Sequence, residues 1–518
     1  MLTRALGSVA FLVQNYDTQI SVEQSASRFF FRPYLYLGSL LAIISVFQLA
    51  TLREGHIWGD DFAMYIGHAR NIVEGRPYAD TGYIFNPTVA VYSPTNYPPV
   101  FPLLLAPLYK LFGLNLLPMK LEQLMFFLLT LILVHTMWRR ELGTGYALVL
   151  IAILGFSPVF WSTKEAILSD VPFLFIFYLF AVLVRWNPQR PKYAWTRALL
   201  IGAALYLNIG TRSVGVALVP GFLLFDAIKN KRISRWTWIA LTFCAAAMIV
   251  QTHFVRAMPV SYLQQAHVIT PTTIVLNGLE YSRALAGFWI ASLRNWFALC
   301  VLLIFAILAA TGFIGQFRRR FEIMEYLLVP YFALVLLWPY RGGIRYVYPL
   351  VPWIGFLAMT GLREISQRLR GRYPSALSIV LLFLIAIPYS QAYHALNFGP
   401  IRESDKSPEF NQLCDAVRQM TKADDVLIYH KARALSLFTG RRTSIYNSQG
   451  TEAELWQWSD RIGARYLVTT DAFPGDGGFL TRFVSAHSER FERIYQNQRF
   501  ALYRIRPSAE PATASLLR

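Results

Sequence analysis

Between residues 34 and 393 the chain alternates long apolar stretches with short polar turns. An apolar window near twenty residues is long enough to cross about 30 Å of hydrocarbon as a helix. Eleven windows fit that description, centred on 34–52, 117–138, 145–161, 171–186, 197–210, 213–228, 236–256, 295–315, 323–338, 346–361 and 375–393. They predict a mainly α, polytopic helical membrane protein with about eleven transmembrane helices.

Arginine and lysine collect at alternate turns: Arg139-Arg140, Arg185 through Arg197, Lys229 through Arg232, Arg318 through Arg320 and Arg363 through Arg372. By the positive-inside rule these turns face the cytoplasm, as does the segment 1–33 with Arg28 and Arg32. The first apolar run, preceded by about thirty mixed residues, reads as a retained span and not a cleaved signal. Outward loops are then 53–116, 162–170, Thr211-Arg212-Ser213, 257–294 and Pro339–Arg345. An odd number of spans puts everything after Tyr393 outside as well.

That final region changes period. Glu409–Met420 is helix-like, Val426–Tyr429 and Ala464–Thr469 are strand-like, Glu452–Ile462 is polar, and Phe491–Tyr495 and Phe500–Ile505 form two short strands around Gln496-Asn497-Gln498. Residues 394–506 are therefore expected to form a small C-terminal α/β extracytoplasmic domain, and 507–518 a disordered tail. In the first outward loop, Phe62–Val73 has apolar residues at helical spacing and is predicted to be a helix lying in the membrane interface.

Composition agrees with a membrane chain: 55% of the 518 residues are hydrophobic and 15% charged. The net charge of +19 lies in the basic turns, so anchoring to the lipid bilayer accounts for it and no nucleic acid partner is implied. Cys244, Cys300 and Cys414 are too scattered for a disulfide framework or a thiolate metal site.

Candidate chemistry sits at the outward ends of spans. Asp60 and Asp61 stand side by side in Trp58-Gly59-Asp60-Asp61, where adjacent carboxylates repel unless a cation, a proton or a reacting hydroxyl is near. The pair fits a polar helix end at the water boundary, a base for a hydroxyl, or oxygen ligands for a divalent cation. Asp170 opens an apolar span two residues before Pro172, where the helix dipole also favours an acid. Arg341 and Arg345 lie in a glycine-bearing outward loop, and Arg212 in another, against the positive-inside trend. Guanidinium groups placed there suit a lipid phosphate, or snorkel to the interface. Lys164 is read either as a substrate contact or as a partner of Glu165; His267 either contacts substrate or is solvated in its loop. Tyr65 lies within the predicted loop helix and Tyr97 precedes Pro98-Pro99.

These pieces in this order resemble the C-type membrane glycosyltransferases (GT-C), in the branch of the protein O-mannosyltransferases and lipid A aminoarabinose transferases. The resemblance runs over residues 34–393. It rests on Gly59-Asp60-Asp61 with Tyr65 and Ala69, on Tyr97-Pro98-Pro99 leading into Phe101–Tyr109, on Leu168-Ser169-Asp170-Val171-Pro172, and on Arg345-Tyr346 before Pro349 and Pro352. It implies an inverting enzyme of the cell membrane that takes a sugar from a polyprenyl-phosphate-linked donor to a hydroxyl of a glycan, lipid or protein acceptor at the outer face. Asp60 is then the expected base. Asp61 and Asp170 would orient the acceptor or hold a divalent cation (Mg or Mn), Arg345 with Arg341 or Arg212 would neutralise the departing phosphate, and Tyr65, Tyr97, Lys164 and His267 would line the substrates. Aspartate follows Asp60 where the family often has glutamate, and Tyr97 stands where histidine or lysine is frequent. Two other readings share the topology: a transporter or scaffold for lipid-linked glycans, and an oligosaccharide ligase.

Overall fold

The structure is a computed structural model; it describes residues 27–89, 97–186, 192–255, 269–290, 295–319, 321–339, 342–369, 376–402, 404–471 and 478–507. The expected contributions of Arg341 and His267, and the expected disordered tail beyond 507, lie outside the described residues. The chain forms two compact units, one made of residues 1–52, 120–253 and 262–398, the other of 53–119, 254–261 and 399–518.

The first unit is helical throughout. Each of the eleven apolar windows falls on helix. Four helices, Leu116–Leu142, Ser213–Asn230, Trp296–Arg319 and Ala376–His394, are long and apolar enough to cross a membrane by length and composition. The window 145–161 is broken into Thr144–Gly155 and Pro158–Thr163, because Pro158 lacks the N–H that would continue the ladder. Where a loop was expected at 257–294 there is a helix, Pro271–Ile290. Asn277, fully buried in it, donates from its amide to the Leu336 carbonyl at 2.9 Å and the Trp338 carbonyl at 2.8 Å, so packing stabilises a segment whose polar residues disguise it. Helices Trp296–Arg319 and Leu350–Arg368 cross through Gly312 and Gly361. A Cβ built on either glycine would lie 2.0 Å from a carbonyl of the facing helix, and only hydrogen fits there.

The second unit combines residues 53–119 with the C-terminal region. Its six strands are β1 (Tyr83–Ile84), β2 (Val426–Ile428), β3 (Arg442–Ser444), β4 (Ala464–Thr470), β5 (Phe491–Gln496) and β6 (Phe500–Ile505), in the order β1-β3-β2-β4-β6-β5. The first four are parallel and the last two join antiparallel. Strand alternation sorts the core. Leu427, Tyr429, Tyr466 and Val468 pack with helices Pro408–Met420 and Ala432–Thr439, while Ile428 and Leu467 pack with Glu452–Ile462 and Phe479–Ala486. The loop supplies β1 and two helices, Asp61–Glu74 and Val100–Phe112. Asp61–Glu74 does not lie in an interface: Phe62 through Ala69 and Asn71 are all buried, so it is a core helix of this unit.

Candidate functional site

The two units each hold a cluster of fixed charges, and the expected residues divide between them. In the second unit the adjacent aspartates have different surroundings. Asp60 occupies the N-cap position of helix Asp61–Glu74 without capping it. Its oxygens instead accept the backbone N–H groups of Arg433 at 3.3 Å and Ala434 at 3.0 Å. It thereby caps helix Ala432–Thr439, which has no capping side chain of its own. That helix directly follows a parallel strand, and its N-terminus is the position where doubly wound sheets receive an anionic ligand; here the chain's own carboxylate fills it. Burial pushes the Asp60 carboxyl above its ordinary value, against Arg433, the N–H groups and Lys431, which favour the charged form.

Asp61 is less enclosed, with its side chain 29% exposed. Its Oδ1 accepts the Tyr97 hydroxyl at 2.7 Å and Arg433 Nη1 at 3.1 Å, and Nη1 also donates to the Tyr97 hydroxyl at 2.8 Å. Arg433 is buried and lies over the rings of Tyr83 (4.9 Å) and Tyr97 (5.5 Å). Tyr97 is fixed from behind by His68. The His68 ring takes the Tyr97 N–H on Nε2 at 3.3 Å and meets the Tyr78 carbonyl through Nδ1 at 2.8 Å, which requires the neutral Nδ1–H tautomer. Burial agrees, lowering the His68 value to about 4. Tyr65 is buried against the rings of Tyr97 and Phe101 and packs this arrangement. Lys431, half-buried, is close enough to interact with both aspartates, and burial holds it below the ordinary lysine value.

In the first unit Asp170 is the hub. Its side chain is 1% exposed and accepts Arg345 Nε at 2.9 Å on Oδ2, with Arg345 Nη2 also at 2.9 Å, while Arg212 donates to Oδ1. Arg212 stacks over the Tyr346 ring, 5.2 Å to its centroid. The preceding turn is equally bound. Thr163 bonds the Tyr348 hydroxyl at 2.8 Å, Glu165 accepts Lys120 at 2.8 Å, and Lys164 donates to the Thr51 carbonyl at 3.1 Å and hydroxyl at 3.0 Å. Lys164 and Glu165 do pair, at 3.8 Å, with side chains 2% and 0% exposed. The lysine is a buried tie, and a substrate-contact role does not suit that place.

A divalent cation does not fit this donor set. A cation site needs several carboxylate oxygens facing one point, whereas Asp61 and Asp170 each accept arginine. Among the described residues no group of three or more His, Cys, Asp or Glu side chains gathers.

Residues 96–254 match the family model described as dolichyl-phosphate-mannose-protein mannosyltransferase. No curated protein matches the chain by sequence. Among solved structures, it resembles ArnT from Cupriavidus metallidurans bound to undecaprenyl phosphate, at 13% identity and a TM-score of 0.54 over 90% of this chain and 98% of that one. The archaeal oligosaccharyltransferase AglB from Archaeoglobus fulgidus, with an inhibitory peptide and a dolichol-phosphate, gives 11% identity and 0.56 over 85% and 70%. The arabinofuranosyltransferase AftD from Mycobacteria gives 14% and 0.56 over 94% and 42%. With helices apolar enough to span a bilayer and a backbone that follows these enzymes over most of its length, the chain has the multi-pass membrane fold of the GT-C glycosyltransferases.

Proposed function

We propose that this protein is an inverting glycosyltransferase that moves a sugar from a polyprenyl-phosphate-linked donor to an acceptor hydroxyl at the outer face of the membrane. The observation that carries the proposal is Asp170 held between Arg212 and Arg345. Two guanidinium groups gathered on one acid make a cationic setting that suits the phosphate that departs with the lipid. The similar ArnT and AglB structures hold undecaprenyl phosphate and a dolichol-phosphate, which is the ligand chemistry such a charge favours.

The base is Asp61 in this reading. A base must present a carboxylate to the incoming hydroxyl. Asp61 is partly exposed and fixed at one oxygen, whereas Asp60 is buried and already caps a helix. The sequence resemblance favoured Asp60 for this role; the geometry favours its neighbour. Arg345 and Arg212 hold the donor phosphate, and Tyr97 orients Asp61.

The test starts from a strain lacking the gene. Mass spectrometry of its lipids, glycans and proteins against the parent identifies the missing sugar and its attachment point together. Complementation with Asp61→Asn is expected to leave product at least about 10²-fold below wild type, the usual range for loss of a general base, while Asp60→Asn retains most of it. The reverse pattern would return the base role to Asp60, and an unchanged product profile in the deletion strain overturns the transferase reading.

A further inference from the structure

Arg433 is bonded to both aspartates, by its backbone to Asp60 and by its side chain to Asp61. It lies 372 residues from Asp61 in sequence, and its side chain is 1% exposed. We propose that Arg433 is a positioning residue for the transfer reaction: it locks the Asp61 carboxylate in one orientation, so that the site is completed only when the C-terminal helix Ala432–Thr439 is docked on the loop. This deepens the reading of Asp61 as base and rests on it.

The argument is geometric. Asp61 Oδ1, the Tyr97 hydroxyl and Arg433 Nη1 close a triangle with sides of 2.7, 2.8 and 3.1 Å. Two donors on one oxygen fix the rotation of the carboxylate and hold its negative charge in place. The triangle depends on the helix being where it is. Four further contacts hold it there. Asp60 takes the N–H groups of Arg433 and Ala434, Thr443 donates to the Ala432 carbonyl at 2.5 Å, and Ser436 donates to the Thr81 carbonyl at 2.9 Å. Gly82 sits beside that last contact with φ +79°, and a Cβ there would come within 2.3 Å of Ser436 Oγ. The close approach of loop and helix therefore requires glycine at this position. A guanidinium that only filled space would not need its direction fixed by two ring faces and two acceptors at once.

A merely structural arginine would show itself differently. Arg433→Met keeps the length and apolar stem but removes the fork; Arg433→Lys keeps a cation. Both are expressed as full-length protein in the deletion strain, with two readouts: the product identified by mass spectrometry, and trypsin resistance of the C-terminal region in membranes. The expectation is retained resistance in both, product about 100-fold lower for Arg433→Met, the scale of a small misplacement of a reacting group, and recovery to within about tenfold of wild type for Arg433→Lys. Product within twofold of wild type in a resistant Arg433→Met protein overturns the proposal, as does product that falls only in step with resistance. If both variants lose resistance, Tyr97→Phe decides, because it removes the other donor to the same oxygen. About tenfold less product supports positioning, and unchanged product overturns it. Asp61→Asn run alongside separates the two claims. A productive Asp61→Asn sinks the base assignment, and with it this inference; an inactive Asp61→Asn beside a fully active Arg433→Met sinks the positioning role alone.

Discussion

Asp61 and Asp170 are both aspartates at the start of a helix, both bonded to arginine, and they face opposite electrostatic situations. Asp61 shares one buried arginine with a tyrosine and keeps part of its surface in solvent. Asp170 is enclosed and accepts from two arginines. In the proposed reading the same residue type serves as the base where it is half-open, and as a buried anchor for two arginines where it is closed. Motif spacing alone treats the two alike; their exposure and the neighbours on each oxygen tell them apart.

Removing each charge separates the roles most sharply. Asp170→Asn leaves Arg212 and Arg345 without their shared acid, and because both arginines reach solvent the cost falls below that of a fully buried pair. A drop in the melting temperature of the detergent-purified protein is expected for Asp170→Asn and a larger one for Asp61→Asn, which leaves Arg433, 1% exposed, without its carboxylate partner. Equal drops would erase the distinction.

Acidity offers a second probe, confined to the loop and C-terminal unit. His68 is held neutral with a value of about 4, below the ordinary 6.5. The unfolded chain therefore binds the extra proton first, and stability is lost as pH falls from about 6.5 to about 4. The loss is on the order of 3 kcal/mol at full effect, from about 1.4 per unit. Protease resistance of the C-terminal region should fall over that window in wild type. The His68→Gln protein should lack about half of the fall, because His430, also lowered to about 4, adds a comparable slope of its own. A pH-independent wild type would remove His68 from this account.

The mildest effect concerns Asp60. Asp60→Ala removes the cap from helix Ala432–Thr439 and is expected to cost about 1 kcal/mol, the usual range for a lost cap. Asp60→Asn keeps an acceptor oxygen and should cost less, as measured by the same protease assay. A larger loss for Asn than for Ala would mean that the negative charge, and not the cap, holds the helix.

Much of this architecture is legible in the sequence. The apolar windows mark helices, and Leu427, Ile428 and Tyr429 announce a buried strand by composition. The elements that escape notice share a cause: their determinants are distant. Helix Ala432–Thr439 has no local cap, since its cap is Asp60, and so Arg433 carries no local signal of importance. Strand β3 is three residues long, and its neighbour β1 comes from the loop. Pro271–Ile290 hides behind Asn277, whose amide is satisfied by carbonyls about sixty residues away. On the site side, Asp60, Asp61, Asp170, Arg212 and Arg345 all stand out by residue type, while the division of labour between the two adjacent acids depends on backbone groups that no motif records.

Strand β1 carries a further consequence. Its two residues pair with Thr443 and Ser444 and close what would otherwise be the open side of the sheet. A protein cut at Gly399 to isolate the C-terminal region would bare that side, with its unpaired N–H and C=O groups free to recruit strands from other molecules. The soluble piece that looks most convenient to express is therefore expected to self-associate, and an insertion in the first loop would act on the sheet as directly as a change in the sheet itself.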